Sequence, residues 1–334
     1  MFNWLIALIV ALAVTQLPAQ VTNVVTRAAD PAARTAEIAV KAGDTNNPAE
    51  AEFQKLMDED DVAQAEVDKW IQENQAFAAK GAGEPDAALN KRILARFDAV
   101  RKGYDDFLAR HTNHARAHLA YAGFLQDIHD EDAALPHMEK SRELDPKNPA
   151  AWNNLANYYG HNGDARKAFE YYAKAIELNP TEPVYFHNFG TTVYLFRTDA
   201  KEFYNLDEQQ VFDKALDLYA KSLKLSPDDF PLATDVAQTY YGIKPLRTEE
   251  ALKSWTNALA IARDDIEREG VHLHFAHINW MAGRTNEARA HLLTVTNAMY
   301  AELKERITRN LDGIAPQAKG TNTTLPTPDK KTAQ

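Results

Sequence analysis

The sequence predicts an all-α protein, a solenoid of stacked antiparallel helix pairs, on three observations. Pro146 and Pro149 recur 34 residues later as Pro180 and Pro183, and a fixed period of this length is the mark of a repeat architecture. Within each half of that period the apolar residues fall at i, i+3, i+4 and i+7, one face of a helix. The composition is globular: of 334 residues 45% are hydrophobic, and 13 Gly with 15 Pro are too few for a low-complexity chain.

The clearest period runs over residues 149–182. Trp152, Leu155, Ala156 and Tyr159 share one face of a first helix, and Ala168, Tyr172 and Ala175 share one face of a second. Gly163 breaks the chain between them and Pro180 cannot continue the second helix. Neither short helix can bury its stripe alone, so neighbouring pairs must stack on both sides. Residues 115–148 carry the same slots as His118, Tyr121, Ala122, Leu125, Ala134, Met138, Ser141 and Pro146.

From Pro183 the slots are Phe186, Phe189, Gly190 and Val193, but Ala215, Tyr219, Ser222 and Pro227 arrive 13 residues late, so 196–210 is an insertion. It holds Phe203, Tyr204 and Leu206 and is expected to fold over an edge or to extend both helices of its repeat. A fourth copy passes through Ala233, Val236, Ala237, Tyr240, Ala251, Trp255 and Ala258, and a fifth through His272, Phe275, Ala276, Asn279, Gly283, Ala288, Leu292 and Val295. Upstream, Tyr104 and Phe107 suit the second helix of a degenerate copy, paired with a helix from about 48 to 79.

The pattern Trp152, Leu155, Ala156, Tyr159, then Ala168, Tyr172 and Pro180 resembles the tetratricopeptide repeat, W-x2-L-G-x2-Y followed by A, an aromatic and P; Ala156 in place of Gly is the one departure. The resemblance covers about residues 87–296. It implies a right-handed superhelix of about five to six helix pairs, with a groove lined by first helices that holds an extended peptide or partner protein. Family positions that face the groove fall here on Asn153, Asn154 and Asn157, on His187, Asn188, Thr191 and Tyr194, and on Thr234, Asp235, Gln238 and Tyr241. That wall is amide-rich and nearly uncharged, and an amide offers both a donor and an acceptor to a peptide backbone. The related subclass that grips terminal carboxylates uses Lys and Arg, and only Arg116 lies near such a slot.

The expected organisation is a signal peptide or N-terminal anchor at 1–26, a linker at 27–47, N-terminal helices with a degenerate repeat at 48–111 and the array at 115–295. A capping helix at 296–312 and a disordered tail at 313–334 complete it. Residues 1–26 carry no charged side chain and 2–14 are nearly all apolar; thirteen helical residues reach about 20 Å, short of a hydrocarbon core of about 30 Å. This implies an exported protein, periplasmic or secreted, or one held to a membrane through 1–26 if that segment stays uncleaved. The cap carries Leu303 and Ile307 on one side and charges elsewhere.

The chemistry expected is binding. With 37 basic against 48 acidic side chains the net charge is −11, which disfavours nucleic acid, because neutralising phosphates needs a basic face. No cysteine is present, so disulfides and thiolate chemistry are excluded. No nucleophile elbow, phosphate loop or dinucleotide fingerprint appears. In His272-x-His274-x-x-His277 the first histidine points away from the other two. His111, His114 and His118 straddle a helix break, and Asp58 to Asp61 lack the glycine of a calcium loop. No catalytic residue, metal site or cofactor is expected, and the chain reads as a non-enzymatic protein-interaction scaffold. The alternative is a structural or oligomeric component of an envelope assembly.

Overall fold

The computed structural model describes residues 47–313. The expected signal peptide or anchor at 1–26, nearly all of the expected linker and nearly all of the expected tail lie outside the described residues. Within them the chain is all-α, with fourteen α-helices and no strand. Contacts divide the described residues into two compact units that part between Leu232 and Ala233.

The first unit contains α1 (Pro48–Ala78), α2 (Asp86–Arg110), α3 (Ala115–Asp127), α4 (Glu131–Leu144), α5 (Pro149–His161), α6 (Ala165–Leu178), α7 (Pro183–Leu195), α8 (Arg197–Tyr204) and α9 (Glu208–Leu225). Local chemistry sets the boundaries. Asn148 Oδ1 accepts from the Ala150 N–H at 3.0 Å, with Pro149 in the first turn of α5, and Asp164 Oδ1 accepts from the Lys167 N–H at 3.2 Å to start α6. Each satisfies an amide that the first turn leaves open. Gly163 adopts φ +85° between them, a conformation other residues resist.

The helices pair as the period requires: α3 with α4, α5 with α6, α7 with α9, each pair touching the next. Tyr104, Phe53, Phe107, Phe124, Leu125 and Met138 fill the core of the first pairs, where the Tyr104 and Tyr121 rings stack at 4.9 Å. Small residues occupy the slot after Leu155 and after its counterpart Phe189. Ala156 is fully buried, and a Cβ on Gly190 would lie 3.0 Å from the Tyr219 ring and 3.2 Å from the Ala215 carbonyl oxygen. Trp152 sits shallower than its slot implies. It is half-buried, its indole N–H donates to the Pro146 carbonyl at 2.9 Å, and its ring meets Tyr171 edge-on at 5.1 Å.

The insertion is a two-turn helix of its own, α8, packed on α6 and α9. Phe203 and Tyr204 place their rings 5.5 and 5.6 Å from Phe169 of α6, Arg166 pairs with Glu202 at 2.5 Å, and the Lys214 ammonium lies 4.0 Å from the Tyr204 ring. It is therefore held by second helices. The rest of the insertion lengthens α9, which opens with a capping box between Asp207 and Gln210.

Helix α10 (Phe230–Thr239) starts in the first unit and ends in the second, which continues through α11 (Thr248–Ala260), α12 (Asp265–Met281), α13 (Thr285–Leu293) and α14 (Ala301–Leu311). Trp255 is fully buried, and Leu273, Ala276, Leu292, Val295 and Ile307 form one cluster against which Leu303 packs. The last helix begins at Ala301, five residues later than the expected start. The amides of Thr296 and Asn297 donate to the Glu269 carboxylate at 2.8 and 2.7 Å, which holds that stretch out of a helix.

Candidate functional site

The residues expected to face a partner fall in two sets, one in each unit. In the first unit they lie on α5 and α7, the first helices of adjacent pairs. Pro183 and Pro149 occupy the same position in the first turn of their helices, so Asn154 and Asn188 stand at the same point of their repeats.

The amides are not uniformly open. Asn153 and Asn154 are only 2% and 1% exposed, which corrects the expectation that both stand free on the wall. Asn153 Nδ2 donates to Asn154 Oδ1, and Asn188 Nδ2 donates to Asn153 Oδ1, each at 3.3 Å. The chain of amides thus ties α7 to α5, and its last donor, Asn154 Nδ2, is buried without a hydrogen-bond partner. Asn188 of α7 closes over Asn153, and Asn154 is buried beside it.

Asn157, His187, Asn188, Thr191 and Tyr194 are half-buried and form the accessible part of the strip. Two are oriented from behind by hydroxyls of second helices. Tyr172 OH donates to Asn157 Oδ1 at 2.6 Å, and Tyr219 OH donates to Thr191 Oγ1 at 3.0 Å. With its oxygen engaged, Asn157 presents N–H groups; with an N–H engaged, Asn188 presents its carbonyl. Thr192 Oγ1 donates to the Asn188 backbone carbonyl at 2.9 Å and lies 3.3 Å from Tyr172 OH. Burial raises the Tyr172 and Tyr194 phenols above their ordinary range, so both stay neutral. Arg197 donates to the Tyr194 carbonyl at 2.8 Å and lies 5.1 Å from its ring.

Sequence reasoning passed over the supporting hydroxyls. Tyr172 and Tyr219 occupy the same aromatic slot, and a tyrosine recurring where the family tolerates any ring was the available signal. Arg116 is committed elsewhere: its guanidinium pairs with Glu50 at 2.5 Å.

In the second unit Thr234 is buried, while Asp235, Gln238 and Tyr241 are half-buried. Tyr241 OH and His274 Nδ1 share a hydrogen bond of 2.8 Å, and the His274 ring stacks on Trp255 at 3.9 Å. Burial pushes the His274 imidazole down to about 3, so the ring is neutral. His272 turns instead to His291. Among the described residues no three His, Cys, Asp or Glu side chains are placed to hold a metal ion, and no helix is long and apolar enough to cross a membrane.

Residues 149–182 match the family profile described as Tetratricopeptide repeat. The Photosystem I assembly protein Ycf3 of Prochlorococcus marinus (strain MIT 9211) is 30% identical over 141 residues, covering 40% of this chain and 81% of that relative. Two solved structures share the fold at a TM-score of 0.50. One is PilW, a type IV pilus biogenesis factor, 16% identical over 66% of this chain and 95% of its own. The other is the C-terminal part of a TPR repeat-containing protein from Cytophaga hutchinsonii, 14% identical over 79% of this chain and 99% of its own.

Proposed function

Because this chain belongs to the tetratricopeptide-repeat family, we propose that it is a non-enzymatic scaffold that holds an extended segment of a partner protein on the strip formed by α5 and α7. The observation that carries this reading is the fixed polarity of two half-buried amides. Asn157, its oxygen held by Tyr172, offers N–H groups, and Asn188, its N–H held by Asn153, offers a carbonyl. A peptide unit needs one of each. His187, Thr191 and Tyr194 complete the contact surface, while Asn153 and Asn154 are its buried support. Asp235, Gln238 and Tyr241 supply a second contact set in the other unit, with Thr234, expected on that wall, buried behind them. The uncharged apolar stretch at 2–14 supports an exported or membrane-tethered location, periplasmic or secreted.

Photo-crosslinking side chains placed at Asn157, Thr191 and Tyr194 test the assignment against the same labels at the exposed Asp217 and Lys221 of α9. Discrete protein adducts are expected from the first group only. Equal capture from both groups overturns the strip as the binding surface.

A further inference from the structure

Two histidine pairs stand in equivalent places of two different repeats. His118 and His137 are 19 residues apart and bring Nδ1 to Nδ1 at 2.8 Å between α3 and α4. His272 and His291, also 19 apart, do the same at 3.1 Å between α12 and α13. The central repeat fills these slots with Trp152 and Tyr171, whose rings meet at 5.1 Å between α5 and α6. The first and second helices of these three repeats are thus pinned at one point by a pair of rings. Only in the histidine repeats does that pin depend on a proton.

At such separations one nitrogen must donate and the other accept. His118 Nε2 lies 3.0 Å from the Thr112 carbonyl, which only accepts, so that nitrogen carries hydrogen. In the neutral ring Nδ1 is then the acceptor, and His137 supplies the shared proton. A first added proton on His137 Nε2 leaves the bond intact. A second, on His118 Nδ1, aims two N–H groups at each other. We propose that His118–His137 and His272–His291 are acid-sensitive latches that pin the two helices of their repeats at neutral pH and release them on acidification.

The surroundings favour release over tolerance of charge. Burial is the largest influence on all four rings and lowers each below the ordinary histidine range. Lys140 of α4 opposes a charge on His118. Asp105 of α2 favours one on His137, but it also accepts from Tyr121 OH at 2.7 Å. α5, the other helix packed on this pair, brings no charged group that bears on either ring. Around the second pair Glu269 of α12 favours a charge on His272, the Phe275 ring stacks on His291 at 4.7 Å, and no charged group of α11 or α14 bears on either ring. With folded-state values depressed, the stability is complete above the unfolded value near 6.5 and is lost as pH falls below it.

Amide hydrogen exchange of the full chain at pH 7.5 and 5.5, normalised for intrinsic rates, tests the latches with α5–α6 as the internal reference. Protection in α3–α4 and α12–α13 is expected to fall by roughly tenfold or more, one power of ten per proton and pH unit at the limit, while α5–α6 holds. His137→Gln and His291→Gln keep a hydrogen-bonding side chain and should flatten the response in their own repeats; His291 is preferred to His272 because His274 and His277 share α12 with the latter. Should either variant fold poorly, imidazole NMR of the unaltered chain decides. Paired rings titrating well below the ordinary range support the latches, whereas four rings titrating independently near it, or an equal pH response in all three helix pairs, overturn them.

Discussion

Asp60 shows how a single half-buried group leaves a signature on the whole chain. Burial raises its carboxyl to about 6, against the lowering effect of the Tyr104 hydroxyl, which donates to it at 2.8 Å. A carboxyl whose folded value lies above its unfolded one binds more protons when folded, so its contribution is present at low pH and is lost as pH rises from about 4 to 6. Asp60→Asn, which still accepts from Tyr104, should raise stability at pH 7.5 by about 1–2 kcal/mol and remove that slope, measured by urea unfolding at both ends of the window. Tyr172→Phe keeps the buried ring but drops the hydroxyl that orients Asn157. It should cost about 1 kcal/mol by the same measurement and weaken adduct formation from a label at Thr191. Asn153 and Asn154 show what the sequence left unread at this scale. Position on a helix face was legible from the Trp152 slot, but burial depends on how closely the next helix approaches, and one turn of α5 carries both covered and open amides.

At the scale of elements, the period located the boundaries from the start of α4 to the start of α7 well, because Pro, Gly and Asn or Asp mark each of them. It placed α8 poorly, since Phe203 and Tyr204 have no counterpart in another copy against which to align them. The start of α14 was missed because the Glu269 carboxylate that captures the amides of Thr296 and Asn297 lies 27 and 28 residues upstream, beyond any local signal. Gly190 is an element-level constraint: the Tyr219 ring and the Ala215 carbonyl oxygen leave no room for a methyl group at van der Waals distance. Gly190→Ala should therefore separate α7 from α9 and destabilise the chain by about 1–3 kcal/mol, with the largest loss of hydrogen-exchange protection in those two helices. The resistance comes from backbone as well as ring, so a rotamer change at Tyr219 does not relieve it.

At the scale of the molecule, repeat arrays transmit stability mainly between neighbours, and the division at Leu232 and Ala233 sets where that transmission is tested. Trp255 is fully buried in the second unit; Trp255→Ala should cost about 3–5 kcal/mol there while exchange in α3 to α6 changes little. Trp152→Ala, at a half-exposed site, should cost less. Uniform loss of protection over the whole chain in Trp255→Ala would show instead that the array unfolds as one cooperative body. The all-α class and the stacking of pairs were legible from spacing alone, because a stripe that needs a neighbour dictates a neighbour.

The two N-terminal helices carry one more consequence. α1 has 31 residues and α2 has 25, against 13 in α3, so at about 1.5 Å per residue α1 overhangs the ordinary pairs by roughly 25 Å. The overhang has its own small core of Val67, Leu89 and Ile93 with Trp70 and Ile71, and the Arg92 guanidinium lies 3.9 Å from the Trp70 ring. A row of like-sized rungs invites another molecule to add its own at the end and grow into a fibre. A buttress more than twice the rung length gives a second copy no rung of matching length to stack on, which disfavours end-to-end growth through α1.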